Sequence, residues 1–352
     1  MTDFAERLLG WYDTHGRKDL PWQQQPDAYR VWVSEIMLQQ TQVQTVIPYY
    51  ERFMQRFPEV ATLADAPVDD VLAHWSGLGY YARARNLHKA ARLVRDEHAG
   101  VFPDDIDQLV ALPGIGRSTA GAILALAFGQ RHAILDGNVK RVLARHDAIG
   151  GWTGRTSVAK ALWQSAERNT PTDRVAASTQ AILDLGATLC PRSRPNCSAC
   201  PVQDDCSARQ GDTIDQYPGR KPSKVKPLKK TTMVLAVSRD ALYLERRPAA
   251  GIWGGLWSLP EMQSGDVDSW CQRVLDGSRY DRQTWGTLRH SFSHYDLDIE
   301  PVIVRSETGS RKVADSEDAT WLQLDSRPPG GVAAPVQKLI NLLKTEFHVT
   351  NR

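Results

Sequence analysis

Four cysteines within seventeen positions form the densest chemistry in this chain. The run Cys190-x6-Cys197-x2-Cys200-x5-Cys206 sets four soft thiols on one polar, proline-containing stretch beside Arg192, Arg194, Asp204 and Asp205. Thiolates suit zinc or an iron–sulfur centre and disfavour magnesium or calcium. Structural zinc sites commonly use two close pairs with a long insert, whereas only Cys197 and Cys200 form a close pair here, so iron–sulfur leads and zinc stays a rival. Such clustering is unlike a secreted disulfide framework and fits a reducing, cytoplasmic setting. Cys271 stands far off and reads as a buried or idle thiol.

Two carboxylates merit equal attention. Glu35 sits among apolar neighbours in the stretch from Tyr29 to Gln42. If buried there, its pKa rises and it keeps the proton a general acid needs; if not, it is a surface glutamate on an amphipathic helix. Asp136, in Leu135-Asp136-Gly137-Asn138-Val139-Lys140-Arg141, reads by itself as the N-cap of a helix beginning near Asn138. Twenty residues before Asp136 stands Gly116, in Leu112-Pro113-Gly114-Ile115-Gly116-Arg117-Ser118. Glycines two apart between helices let backbone approach a phosphate, and the amides opening the second helix can donate to it; a plain tight connection is the alternative.

The elements around these residues fall into two kinds. At 352 residues the chain exceeds the size of one growing core, so two domains are expected. Up to about residue 210 the apolar spacing is helical, over 28–46, 68–74, 83–98, 106–112, 118–128, 138–145, 157–169 and 174–189. Residues 217–230 carry Arg220, Lys221, Lys224, Lys226, Lys229 and Lys230 with three prolines and no acid, and read as an extended linker. Beyond it, Thr231 to Val237, Ala241 to Arg246 and Leu297 to Val304 read as strands, Asp266 to Leu275 and Val336 to Leu343 as helices. The formal charge is only +2, so affinity for nucleic acid must come from local basic patches. No stretch has the length and apolarity of a membrane span, and the first twenty residues lack the apolar core of a signal peptide.

Together with Leu20-Pro21-Trp22 and Gly77-Leu78-Gly79-Tyr80-Tyr81-Ala82-Arg83-Ala84-Arg85, these motifs closely resemble the MutY family of adenine DNA glycosylases, within the endonuclease III-like helix-hairpin-helix superfamily. The resemblance runs through residues 11 to 206. It implies a multidomain fold: an all-α helix-hairpin-helix glycosylase domain over 1–216 with a [4Fe-4S] loop at 190–206, a linker at 217–230, and an α+β Nudix-like domain over 231–352. It implies that Glu35 protonates an extruded adenine, that Asp136 stabilises the sugar cation, that Asn138 positions Asp136 or the water, and that Cys190, Cys197, Cys200 and Cys206 hold the cluster. Gln40, Tyr80, Gly114, Gly116, Ser118 and Lys140 are the implied DNA contacts, and Trp22, Lys18 and Gln180 the adenine pocket.

Bifunctional relatives carry a nucleophilic lysine where this chain has Ser118, and serine cannot form the Schiff base that strand cleavage requires, so a monofunctional enzyme is expected. The stretch from Gly251 to Glu261 resembles the glycine-rich entry to a Nudix fold, but no glutamate series follows to hold magnesium, so phosphohydrolysis is not expected. Phe292, Ser293 and His294, which alone look like a strand end, match the family's 8-oxoguanine recognition loop. The implied partner is duplex DNA with 8-oxoguanine:adenine or guanine:adenine mispairs, bound by a monomer with no membrane attachment, in a bacterial-type cytoplasm at the nucleoid. The competing readings are an endonuclease III-like glycosylase/lyase on oxidised pyrimidines, a non-enzymatic Fe–S DNA-binding protein, and a nucleotide pyrophosphatase fused to a DNA-binding module.

Overall fold

A computed structural model of the protein describes residues 3–223, 225–262, 266–275, 279–306 and 317–350; Lys224 of the basic segment lies outside them. The chain divides into two compact units, one of residues 1–65 and 86–223, the other of 66–85 and 224–352.

Helices in chain order are α1 (Asp3–His15), α2 (Ala28–Leu38), α3 (Val43–Arg56), α4 (Val60–Asp65), α5 (Val68–Trp75), α6 (Ala82–Glu97), α7 (Ile106–Ala111), α8 (Arg117–Phe128), α9 (Gly137–His146), α10 (Thr156–Asn169), α11 (Val175–Thr188) and the short α12 (Ser207–Gln210). The helix expected over 28–46 is two. Asp27 caps α2 by accepting from the Arg30 amide at 2.7 Å, but Gln39 leaves the helical region with a ψ of 110° and Gln40 takes a left-handed φ of 59°, so the first helix stops before α3 begins at Val43. The polar run Gln39-Gln40-Thr41-Gln42 spans the break between Leu38 and Val43 and was the available signal.

In the first unit α8 is the central rod: residues 119–125 are all buried, and α2, α7 and α11 pack against it. It needs small residues to be approached this closely. A Cβ on Gly121 would lie 2.7 Å from the Ala133 carbonyl oxygen. A further core joins α1, α9, α10 and α11 through Phe4, Leu8, Val139, Leu143, Leu162 and Leu185.

The second unit centres on a mixed sheet of β1 (Leu228–Ser238), β2 (Ala241–Arg246), β3 (Trp257–Ser258), β4 (Glu261–Met262), β5 (Tyr280–Thr284), β6 (Leu288–Ser291), β7 (Asp296–Ser306) and β8 (Ala319–Gln323). Its main order is β3-β2-β1-β7-β5, with β1 and β7 parallel from Leu228↔Asp296 to Ser238↔Ser306. The segment expected to be a linker is therefore shorter at its end, because Leu228, Lys229 and Lys230 already pair with β7. Helix α13 (Val267–Val274) lays Val267, Trp270 and the buried Cys271 against Val234, Ala236 and Val304, which accounts for the isolated cysteine as core. Helix α14 (Ala334–Thr350) buries Val336, Leu339, Ile340 and Leu343.

Residues 66–85 group with this sheet for a visible reason. Asp69 pairs with Arg246, the Tyr81 hydroxyl donates to the Val332 carbonyl at 2.9 Å, and a Cβ on Gly331 would meet the Leu72 carbonyl oxygen at 2.8 Å. No helix among the described residues is long and apolar enough to cross a membrane.

Candidate active site and thiol cluster

Asp136 is the N-cap of α9, and its Oδ1 accepts the Val139 amide at 2.8 Å. Burial raises its pKa, while the Val139 and Asn138 amides and the charges of Arg141 and Lys140 pull it back. Glu35, on α2, has no such help. Burial, reinforced by the charge of Asp136, pushes its pKa up to about 8. Glu35 is half-buried as a residue, and its carboxyl is the part surrounded by protein. Both carboxyls are raised by burial, but only Asp136 has amide donors aimed at it that favour its charged form, while Glu35 holds the proton at neutral pH.

The approach to Asp136 is held by the helix-hairpin-helix itself. The Ser118 Oγ, in the first turn of α8, accepts the Leu135 amide at 2.9 Å, one residue before the acid. Gly114 has a φ of 82° and a Cβ there would strike Asn86 at 2.9 Å, so glycine is required on both counts. Gly116 is different. Its Cβ direction meets nothing within 4 Å, leaving its backbone open to an outside partner.

Asn138 does not face Asp136 freely: its Oδ1 accepts from Arg141 Nη2 at 2.7 Å. The same nitrogen donates to the Gly186 carbonyl at 2.7 Å, and Arg141 Nε donates to the Cys190 carbonyl at 2.7 Å. One turn later the buried Arg145 donates to Cys190 Sγ at 3.2 Å, to the Pro191 carbonyl at 2.8 Å and to the Arg192 carbonyl at 3.1 Å. Helix α9 therefore carries Asp136 at one end and grips the cysteine loop along its length. Sequence reading missed both arginines; their spacing of four on the helix that Asp136 caps was the available signal.

Cys190, Cys197, Cys200 and Cys206 line one cavity with Val142, Leu185, Leu189 and Val202. Burial and mutual repulsion raise the thiols at Cys197, Cys200 and Cys206, Cys200 to about 11, so a cationic centre is needed to hold them as thiolates. Among the described residues no three such side chains are drawn tightly enough to hold a single metal ion; the thiols ring a space instead.

Of the expected pocket residues, Trp22 is buried edge-on against Tyr50 with ring centres 5.4 Å apart. Gln180 is buried and donates its amide to Asp184 at 3.0 Å. Asp184, fully buried, also takes the Arg17 amide at 2.8 Å and its guanidinium at 2.9 and 2.5 Å. Lys18 is turned to the Asp13 carbonyl at 2.7 Å. Gln40 is exposed and, like Tyr80 with a φ of 47°, takes a left-handed backbone; Tyr80 is 53% exposed. In the second unit Phe292 to His294 prove to be a hairpin rather than a strand end: Ser291 pairs with Asp296, the Phe292 amide donates to the Tyr295 carbonyl at 2.9 Å, and Ser293 and His294 form the exposed tip.

Residues 33–168 match the family described as HhH-GPD superfamily base excision DNA repair protein, and residues 231–342 match the NUDIX domain. Fold and site together define a helix-hairpin-helix repair protein with an appended Nudix-type domain. The chain is 36% identical to the adenine DNA glycosylase of Buchnera aphidicola from Acyrthosiphon pisum, covering 97% of both chains. It is 32% identical to the human adenine DNA glycosylase, covering 97% of this chain and 74% of that one. This chain belongs to the adenine DNA glycosylase family. Among solved structures, a thermostable thymine-DNA glycosylase is similar with a TM-score of 0.52 and 27% identity, over 59% of this chain and 95% of that one. A non-covalent endonuclease III–DNA complex, at 20% identity and a TM-score of 0.50, shows the shared fold.

Proposed function

We propose that the protein is a monofunctional glycosylase that hydrolyses the N-glycosidic bond of adenine paired with 8-oxoguanine or guanine in duplex DNA, acting as a monomer. The observation that carries this is the unequal carboxyl pair: burial raises Glu35 to about 8, while Asp136, at the start of α9, accepts the Val139 amide, which favours its charged form. A glycosidic bond is out of reach inside the base stack, so the adenine is flipped out. Glu35 donates its proton to N7, the C1′–N9 electrons pass to the base, and adenine leaves neutral. Asp136 stabilises the sugar cation until water adds at C1′ and its proton returns to the Glu35 carboxylate, a division of labour shared with glycosidases that pair a protonated and an ionised carboxyl. Strand cleavage needs an amine nucleophile, and Ser118 supplies none.

Phosphate contacts fall to the open backbone at Gly116 and to the amides opening α8, with Gln40, Tyr80 and Lys140 as further DNA contacts. The hairpin tip of Ser293 and His294 reads 8-oxoguanine opposite the adenine; a serine hydroxyl both donates and accepts at the modified edge. Cytoplasmic, nucleoid-associated action is part of this reading. Single-turnover incubation with duplexes holding 8-oxoguanine:adenine, guanine:adenine or thymine glycol, with and without later alkali, tests it. Adenine release with strand breakage only after alkali is expected. Enzyme-dependent breakage of thymine glycol DNA sinks the proposal in favour of a lyase.

We assign Cys190, Cys197, Cys200 and Cys206 to a [4Fe-4S] cluster, since four thiols ringing a cavity, with Arg145 donating to one sulfur, suit a multi-atom centre. When bound, such a centre fastens the loop; the hydrolysis needs no electron from it. Metal and acid-labile sulfide analysis of anaerobically purified protein should find about four irons and four sulfides per chain. About one zinc and no sulfide would overturn the assignment.

A further inference from the structure

We propose that Trp253 is a positioning residue that sets the presentation of the Ser293–His294 tip, and with it the preference for 8-oxoguanine; this rests on the tip being the reader of that base. Trp253 lies on the glycine-rich turn between β2 and β3, with a φ of 56°. A bulky side chain in left-handed backbone is strained and persists only where surrounding structure over-determines it. Arg247 provides that constraint: its Nε donates to the Ile252 carbonyl at 3.1 Å, its guanidinium pairs with Glu261 and lies 5.8 Å from the Trp253 ring centre, and its carbonyl accepts the Gly255 amide at 3.2 Å.

The strained turn aims the indole at the hairpin. Its ring centre lies 5.2 Å from Phe292 and 5.6 Å from His290, which are themselves 4.6 Å apart edge to face. Phe292 also packs at 4.6 Å on the buried Tyr295. The stem of the hairpin is thus gripped between Trp253 and Tyr295, while Lys226 donates to the Phe292 carbonyl at 2.7 Å from the connector side. Ser293 and His294 are the exposed tip, with the His294 ring resting edge-on against Tyr295 at 4.7 Å. A two-residue tip has no fold of its own, so its placement to hydrogen-bond accuracy is inherited from the stem. A Nudix-type turn that has no glutamate series to bind a metal here serves as the abutment for a reading loop.

The test is the ratio of mismatch affinity and single-turnover excision for 8-oxoguanine:adenine over guanine:adenine, in the full-length protein. Trp253→Leu keeps apolar bulk but loses the ring contacts and is expected to lower the ratio by about tenfold, the scale of a lost aromatic pair, with the guanine:adenine rate unchanged. Trp253→Phe should restore most of it. The cycle with Phe292→Leu should be non-additive in log ratio, because the tryptophan acts through that ring. A ratio within twofold of wild type in Trp253→Leu, or strictly additive effects, overturns the proposal. Wild-type protein without any preference would instead remove the underlying 8-oxoguanine reading, and this arm is read before any variant.

Discussion

Replacing Asp136 with Asn is expected to lower single-turnover adenine excision by about a thousandfold or more, the scale of removing a charge aimed at a developing transition-state charge, while affinity for the mispaired duplex persists. The substitution is unusually clean. Asp136 caps α9 through the Val139 amide, and Asn is as good an N-cap, so the helix keeps its start and stability should shift by only about 0.5 kcal/mol. Asp136→Ala removes cap and charge together, and would cost a further ~1 kcal/mol of stability that confuses the reading. The Asn138 side chain is held by Arg141, so its position survives the change. Excision that remains nearly intact in the Asn variant, with binding unchanged, would take the catalytic role away from Asp136 and leave it only the cap.

What could be read from the chain divides along the range of the interactions involved. The cysteine ring was legible because all four thiols lie on one local loop, and the softness of thiolates narrows any metal there to zinc or iron–sulfur. Helices such as α9 and α10 were legible because their apolar period is local, and in α9 the capping Asp136 is local too. The break at Gln40 was not, since four polar residues are as compatible with the exposed face of one long helix as with a stop, and the turn is set by the backbone of Gln39 and Gln40. Residues 66–85 look like any other helical segment, yet Asp69, Leu72 and Tyr81 commit them to partners more than 150 positions away. The same holds for Arg17 on Asp184 and Arg145 on the cysteine loop, where a charged residue is buried for a partner that no local pattern reveals. For Glu35 and Asp136 the resemblance already divides their roles; what was not legible is a source of their inequality, the Val139 amide that the folded α9 points at Asp136.

That inequality makes a prediction with two opposed readouts. With a Glu35 pKa near 8, the proton is in place through neutral pH, and excision should fall about tenfold per pH unit above it. Glu35→Gln should lose 10²- to 10⁴-fold in rate, the usual scale for a general acid, and its residual activity should lack the alkaline fall. Stability should move the other way. The folded pKa lies above the ordinary value of 4.5, so between 4.5 and about 8 the native state keeps a proton that the unfolded chain has released. Stability contributed by that proton is fully present below 4.5 and is lost as pH rises through the folded pKa. Gln is neutral throughout and avoids this loss, so the variant should exceed wild type at pH 8 by on the order of 1–3 kcal/mol and match it near pH 4.5, read from urea midpoints. A catalytically dead variant that is no more stable at pH 8 would mean that the carboxyl is well solvated. Burial would then no longer explain how Glu35 keeps its proton, and the general acid would have to be sought elsewhere.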